Sequence, residues 1–176
     1  NTRTELIQKI TAADTVSFDL FDTLITRKFY SYTDVFQLVD QMLRRRGICI
    51  PGFTELRLFA EKELSKNGAP TLKEIYKKVL ERAEGHFNIS ESELARLEWE
   101  TDFASMIPRR DMCDIVRETV LKGKRVVITT DTYYQRQQIE QILTKFEIKG
   151  YAELLISCEY RTGKAQALYD RMLSRE

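Results

Sequence analysis

Ser17-Phe18-Asp19-Leu20-Phe21-Asp22-Thr23-Leu24 sets an aspartate where an apolar stretch gives way to a turn. Val16 and Phe18 read as the end of a buried strand, which places Asp19 at that strand's carboxyl edge. In an open α/β sheet this edge is where ligands bind, and a carboxylate there can attack phosphorus or carbon as a covalent nucleophile. The same eight residues also fit plain turn chemistry, with Asp19 opening a turn and Asp22 capping a helix. The stretch alone leaves both readings open.

The 176 residues suffice for one domain with a sizeable core, or for a core plus an inserted subdomain. Lys and Arg number 28 against 27 Asp and Glu, a net charge of +1, which gives no reason to expect nucleic acid or an anionic membrane surface as partner. The basic runs Arg44-Arg45-Arg46, Arg109-Arg110 and Lys122 to Arg125 read as helix ends and solvated faces. The 3 cysteines, Cys49, Cys113 and Cys158, are far apart, no CxxC is present, and His86 is the only histidine. A Cys/His zinc site or a histidine-based triad is thereby disfavoured, and the thiols read as small core residues of a reducing compartment. No apolar run approaches the roughly 20 residues of a membrane span, and no signal peptide is visible. The expected location is the cytoplasm, and Asn1 at the start gives the expectation of a piece of something longer.

Thr4 to Thr11 reads as a short helix and Thr15 to Asp19 as the first strand. From about Thr33 to Ser105 the pattern is helical throughout. Val35, Leu38, Val39, Met42 and Leu43 share one face, and Gly47 stops that helix. Leu56, Phe59, Ala60 and Leu64 outline a second helix, ended by Asn67-Gly68. Capping boxes at Thr71-Leu72-Lys73-Glu74 and Ser90-Glu91-Ser92-Glu93 open a third and a fourth. Such helices can bury their apolar stripes on one another as a small subdomain. Pro108 ends the run. Beyond it come a helix from Asp111 to Leu121, a β-branched strand Arg125-Val126-Val127-Ile128-Thr129, a helix from Gln135 to Phe146, a strand Leu154-Leu155-Ile156 and a helix from Lys164 to Leu173. Strand, helical insert and alternating helices and strands imply an α/β fold with a parallel sheet.

In that sheet the first strand ends at Asp19, the second at Thr130-Asp131, and the third is followed by Lys164. A carboxylate nucleophile, a hydroxyl donor and a cation at one edge make a phosphate site: the hydroxyl bonds a phosphoryl oxygen, and the lysine offsets charge between two anions.

The arrangement resembles the haloacid dehalogenase (HAD) superfamily, mostly phosphohydrolases and phosphotransferases with a Rossmann-like core. Phe18 to Leu24 is similar to its first motif, Val126-Val127-Ile128-Thr129-Thr130 to its second, and Lys164 to the lysine of its third. The helical insert stands where the family carries its C1 cap. The resemblance implies a Rossmann-like three-layer core over residues 1–30 and 106–176 and a helical cap over 31–105. The wording Phe-Asp-Leu-Phe-Asp-Thr-Leu-Ile-Thr-Arg and Thr130-Asp131-Thr132-Tyr133 is most similar to HAD domains near or fused to bacterial surface-polysaccharide glycosyltransferases, which implies a glycosyltransferase as fused or separate partner. It further implies that Asp19 forms an aspartyl-phosphate, that Thr130 and Lys164 hold the phosphoryl group of a small phosphorylated substrate, and that Mg²⁺ sits on Asp19 and the backbone carbonyl of Phe21. Arg27, just past the first motif, is a further candidate for an anionic substrate, and Tyr133 and Tyr134 for gating the pocket.

Two departures bear on activity. Family phosphatases carry an aspartic acid/base two residues after the nucleophile, where this chain has Phe21; general acid/base catalysis contributes roughly 10²–10⁴ in rate. Asp22, one residue on, is the candidate substitute. The family's acidic fourth motif has no counterpart after Lys164, where only Asp170 and Glu176 remain. The expectation is a sheet truncated before its fourth strand and weak metal binding. The leading reading is a HAD-type phosphohydrolase or phosphotransferase. Its rivals are a non-catalytic binding or interaction module and, last, metal-free C–X hydrolysis.

Overall fold

The computed structural model describes residues 3–162, Leu168 and Asp170. Helix α1 (Arg3–Ala12) leads into strand β1 (Thr15–Phe18). After a turn comes β2 (Ile25–Arg27). Four helices follow: α2 (Asp34–Arg45), α3 (Phe53–Leu64) with a 3₁₀ turn at Ser65–Asn67, α4 (Leu72–Arg82) and α5 (Glu91–Ser105). Strand β3 (Met106–Pro108) returns the chain, and α6 (Arg110–Leu121), β4 (Arg125–Thr130), α7 (Arg136–Lys145), β5 (Glu153–Ile156) and α8 (Ser157–Tyr160) complete the described order.

β1, β4 and β5 form a parallel sheet in the order β1-β4-β5, with Phe18 opposite Ile128 and Thr130 opposite Ile156. β4 is buried from Val126 to Thr130, as a central parallel strand covered on both faces must be, and this explains its unbroken β-branched run. Phe18, Val126, Ile128, Leu154 and Ile156 join the main core, while Val127 and Leu155 pack with Leu168 on the other face. The fold is thus α/β with a parallel sheet and a helical insertion, as the order of motifs implies.

Both predicted capping boxes form: the Thr71 and Ser90 side chains accept from the N–H of Glu74 and Glu93, whose carboxylates reach back. The sequence reading misses β2 and β3, which pair antiparallel (Ile25 with Pro108, Arg27 with Met106) and make the neck of the insertion. Three-residue strands some 80 positions apart carry no period-2 signal. Of the thiols expected in the core, Cys158 is buried and Cys113 half-buried, but Cys49 is exposed. Burial pushes the Cys158 thiol up to about 11, so it stays protonated at neutral pH. Among the described residues no helix is long and apolar enough to cross a membrane. The predicted helix from Lys164 to Leu173 lies outside the described residues, Leu168 and Asp170 apart.

Candidate active site

The parallel register brings the ends of β1 and β4 side by side, so Asp19, one residue past β1, stands at the same edge as Thr130, the last residue of β4. The chain closes a helix-like turn there: the N–H groups of Leu24 and Ile25 both donate to the carbonyl of Leu20, at 2.9 and 3.1 Å. Thr23 donates its hydroxyl to Asp19 Oδ2 at 3.3 Å. Asp22 occupies the left-handed region with φ 58°, a conformation in which aspartate is several-fold enriched among non-glycine residues and which is worth a functional question. Its carbonyl accepts from Arg109 Nη1 at 2.7 Å, and the Arg109 N–H donates to Leu24 O at 2.8 Å, so the residue after β3 clamps the turn from both sides. Helix α2 is preceded by Thr33, not Asp22. Asp22 is therefore a turn residue and caps no helix.

Adjacent threonines at the end of β4 meet opposite fates. Thr129 is buried and its hydroxyl pairs with Ser17 Oγ at 2.8 Å across the β1–β4 ladder. Thr130 is also fully buried, yet its Oγ1 has no hydrogen-bond partner among the described residues. An unmet buried hydroxyl costs about 1–3 kcal/mol, and such an atom in a folded protein calls for an explanation. Beyond β4, the Thr132 N–H donates to Ser157 Oγ (2.9 Å), Ser157 Oγ donates to Thr132 O, and Tyr134 N–H donates to Thr132 Oγ1, so the loops after β4 and β5 are tied together.

A cavity of about 590 Å³ opens between this edge and the insertion. Phe21, Asp22, Asp131 and Thr132 line it from the sheet side, and Tyr32, Glu61 and Lys66 from the insertion. Asp19 and Thr130 do not line it; Phe21, two residues past Asp19, and Asp131, next after Thr130, do. Tyr133 lines it too, whereas Tyr134 is buried.

Arg27 lines the cavity but is committed elsewhere. Its Nε and Nη2 bond Asp102 Oδ1 and Oδ2 at 2.6 and 2.8 Å, with the two side chains 13% and 2% exposed. Burial opposes its charge, but the Asp102 contacts prevail and hold the guanidinium's pKa above its ordinary value. Asp102 also accepts the Tyr134 hydroxyl at 2.8 Å.

The insertion is fastened to the sheet elsewhere too. Buried Arg57 of α3 forks onto Glu98 of α5 at 2.7 and 2.8 Å, and Tyr76 donates to Glu98 at 2.6 Å. The same guanidinium lies 4.8 Å from the centroid of the Tyr133 ring, which comes from the sheet side. The Leu72 N–H donates to Tyr133 O, Lys145 Nζ to Phe103 O at 2.6 Å, and Arg161 to both oxygens of Glu74. Sequence reasoning misses this seam. Its one legible trace is Glu98 and Asp102, acids at four-residue spacing on the stripe that Leu94 and Leu97 bury.

Of the predicted site residues, the structure brings Asp19 and Thr130 to one edge and sets Phe21, Asp22 and Arg27 on the cavity wall; Lys164 lies outside the described residues. Among those residues no three Asp, Glu, His or Cys side chains converge as a metal cluster. The Asp19 carboxylate and nearby backbone oxygens could offer a cation a sparse oxygen set, the kind Mg²⁺ accepts because it retains several waters.

No family sequence profile and no curated protein sequence matches the chain. Solved structures do. The L-2-haloacid dehalogenase of Xanthobacter autotrophicus superposes with a TM-score of 0.54 at 13% identity over 92% of this chain, which spans 64% of that protein. The HAD-hydrolase YfnB of Bacillus subtilis, solved bound to magnesium, gives 0.59 at 11% identity over 92% of this chain and 73% of its own. A HAD family enzyme of Bacteroides thetaiotaomicron gives 0.58 at 10% identity, covering 92% and 77%. At these identities the likeness is one of fold. The motif order, the parallel sheet with its helical insertion and these superpositions agree that the chain has the fold of the haloacid dehalogenase superfamily.

Proposed function

We propose that this chain carries a phosphohydrolase or phosphotransferase site that acts on a small phosphorylated metabolite through Asp19. The observation that carries the reading is the orphaned Thr130 hydroxyl, buried at the same strand-end edge as Asp19. A phosphoryl oxygen would satisfy that donor, as Ser17 satisfies Thr129. In the proposed reaction an Asp19 oxygen bonds to phosphorus as the bond to the leaving oxygen breaks. Thr130 donates to a non-bridging oxygen, and Lys164 offsets the charge of the phosphoryl group. The departing oxygen needs a proton. Phe21 has none to give, and Asp22, on the cavity wall, is the carboxyl we assign to that transfer. Water then attacks the aspartyl-phosphate, or an acceptor hydroxyl does in a transferase. Mg²⁺ on Asp19 and the Phe21 carbonyl would supply Lewis-acid neutralisation of phosphoryl charge.

On this reading residues 31–105 are the cap, and 1–30 with 106–176 the core. The cap's Tyr32, Glu61 and Lys66 would face the non-phosphate part of the substrate. The resemblance to domains accompanying polysaccharide glycosyltransferases points to a sugar-derived substrate and to such an enzyme as partner. A second reading, a phosphate-binding module without turnover, is favoured by Phe21, whose ring packs under Arg27 and occupies the position of the family's acid/base.

Hydrolysis of an aryl phosphate with and without Mg²⁺, by the wild type and by Asp19→Asn, separates the two. Turnover that vanishes in Asp19→Asn supports the enzyme. A folded wild type that binds inorganic phosphate but turns over no faster than Asp19→Asn supports the module. Alkyl phosphates test Asp22: Asp22→Asn is expected to slow their hydrolysis roughly 10²-fold while sparing aryl phosphates, whose leaving groups need little protonation.

A further inference from the structure

Arg27 and Asp102 are 75 residues apart in sequence and meet as a fork-to-fork pair, Nε to Oδ1 at 2.6 Å and Nη2 to Oδ2 at 2.8 Å. Asp102 is 1% exposed and further engaged: Oδ2 accepts Tyr134, and Oδ1 is 3.4 Å from Ser105 Oγ. Both partners it holds touch one side chain. The Arg27 guanidinium lies 4.9 Å from the centroid of the Phe21 ring, and the Tyr134 ring lies 6.2 Å from it. Phe21 stands between Asp19 and the left-handed Asp22. A buried bidentate pair fixes the arginine in one geometry, and its opposite charges cancel toward anything in the cavity.

We propose that Arg27 and Asp102 form a strut that sets the position of the Phe21–Asp22 turn, making both of them positioning residues; Arg27 is not a substrate anchor. Helix α5 of the insertion thereby holds the loop that follows the Asp19 strand. A turn that carries a nucleophile on one side and a proton donor on the other has to be held closely, because displacements near 1 Å cost roughly 10²-fold in rate. The kinetic consequence rests on the phosphoryl-transfer reading above; the structural one does not.

Two measurements test it. In aryl-phosphate hydrolysis, Asp102→Asn and Arg27→Lys are each expected to lower kcat about 10- to 100-fold with KM within about twofold, and the double variant to fall no further than either single. An anchor predicts the reverse, a raised KM in Arg27→Lys with kcat kept and a silent Asp102→Asn, and that result overturns the proposal. Independently of turnover, the amides of Leu24 and Ile25 report the turn through their bonds to Leu20 O. Their hydrogen exchange is expected to quicken about tenfold in Arg27→Lys and Asp102→Asn while the β4 amides exchange as before. Unchanged exchange at Leu24 and Ile25 overturns the strut. A wild type without turnover removes the phosphatase reading and leaves exchange to decide the strut.

Discussion

The seam that fastens the insertion and the strand-end edge of the sheet treat buried polar groups differently. Along the seam the buried ion pairs are met: Arg57 by Glu98 and Glu61, Glu98 also by Tyr76, Asp102 by Arg27 and Tyr134, although Asp40 Oδ1 and Glu63 Oε2 elsewhere in the insertion have no hydrogen-bond partner among the described residues. On the sheet side a buried hydroxyl stands unmet at Thr130, and the neighbouring turn holds Asp22 at φ 58°. Satisfied networks rigidify a structure, and an unmet buried hydroxyl at a strand-end edge calls for an explanation, which the proposed phosphoryl site would supply.

The sharpest way to break that contrast is to remove a charge from the seam. Glu98→Gln leaves buried Arg57 with only the partly exposed Glu61 as counter-charge, and the fold is expected to lose about 3 kcal/mol, read as a fall in the urea midpoint at unchanged m-value. A loss below about 1 kcal/mol would mean the network is far less dry than its 0% exposure indicates. Thr129→Val strands Ser17 Oγ, and an expected loss of about 1–2 kcal/mol should show in the same denaturation curve. Gly68→Ala tests the seam. Gly68 has φ 118°, and a Cβ there would meet the Arg161 carbonyl oxygen at 2.5 Å, so thermal unfolding should shift down by the equivalent of about 1 kcal/mol or more.

The smallest expected effect is acid sensitivity at Glu74. Its hydrogen bond from Arg161, with help from Thr71 and against a smaller effect of burial, holds its carboxyl down at about 2, below the ordinary 4.5. A depressed folded-state pKa gives stability that is complete above about 4.5 and lost as pH falls toward 2. The pair is partly exposed, so the loss is under about 1 kcal/mol after solvent screening. Comparing Glu74→Gln with wild type between about pH 5 and about pH 2 should show the difference close.

What was legible in the sequence follows the same division. Local signals read true: the capping boxes at Thr71 and Ser90, the apolar run of β4, and the placement of Asp19 and Thr130 at strand ends all rest on residues within a few positions of each other. The seam was opaque because its partners are remote. Arg27 and Asp102 stand 75 positions apart, Arg57 and Glu98 41, and no short-range pattern links them. Of Thr129 and Thr130, the family resemblance favoured the second. Only the geometry gives a physical reason, since Ser17 takes up one hydroxyl and leaves the other.

That pair of threonines offers the most direct test. Thr130→Val removes the unmet hydroxyl without changing side-chain shape, and Thr129→Val removes the paired one; melting temperature and aryl-phosphate turnover are measured on both. The account predicts that Thr130→Val melts at or above the wild-type temperature and loses turnover by roughly 10²-fold, while Thr129→Val melts lower and keeps turnover. A Thr130→Val variant that melts lower and turns over as the wild type does would contradict it.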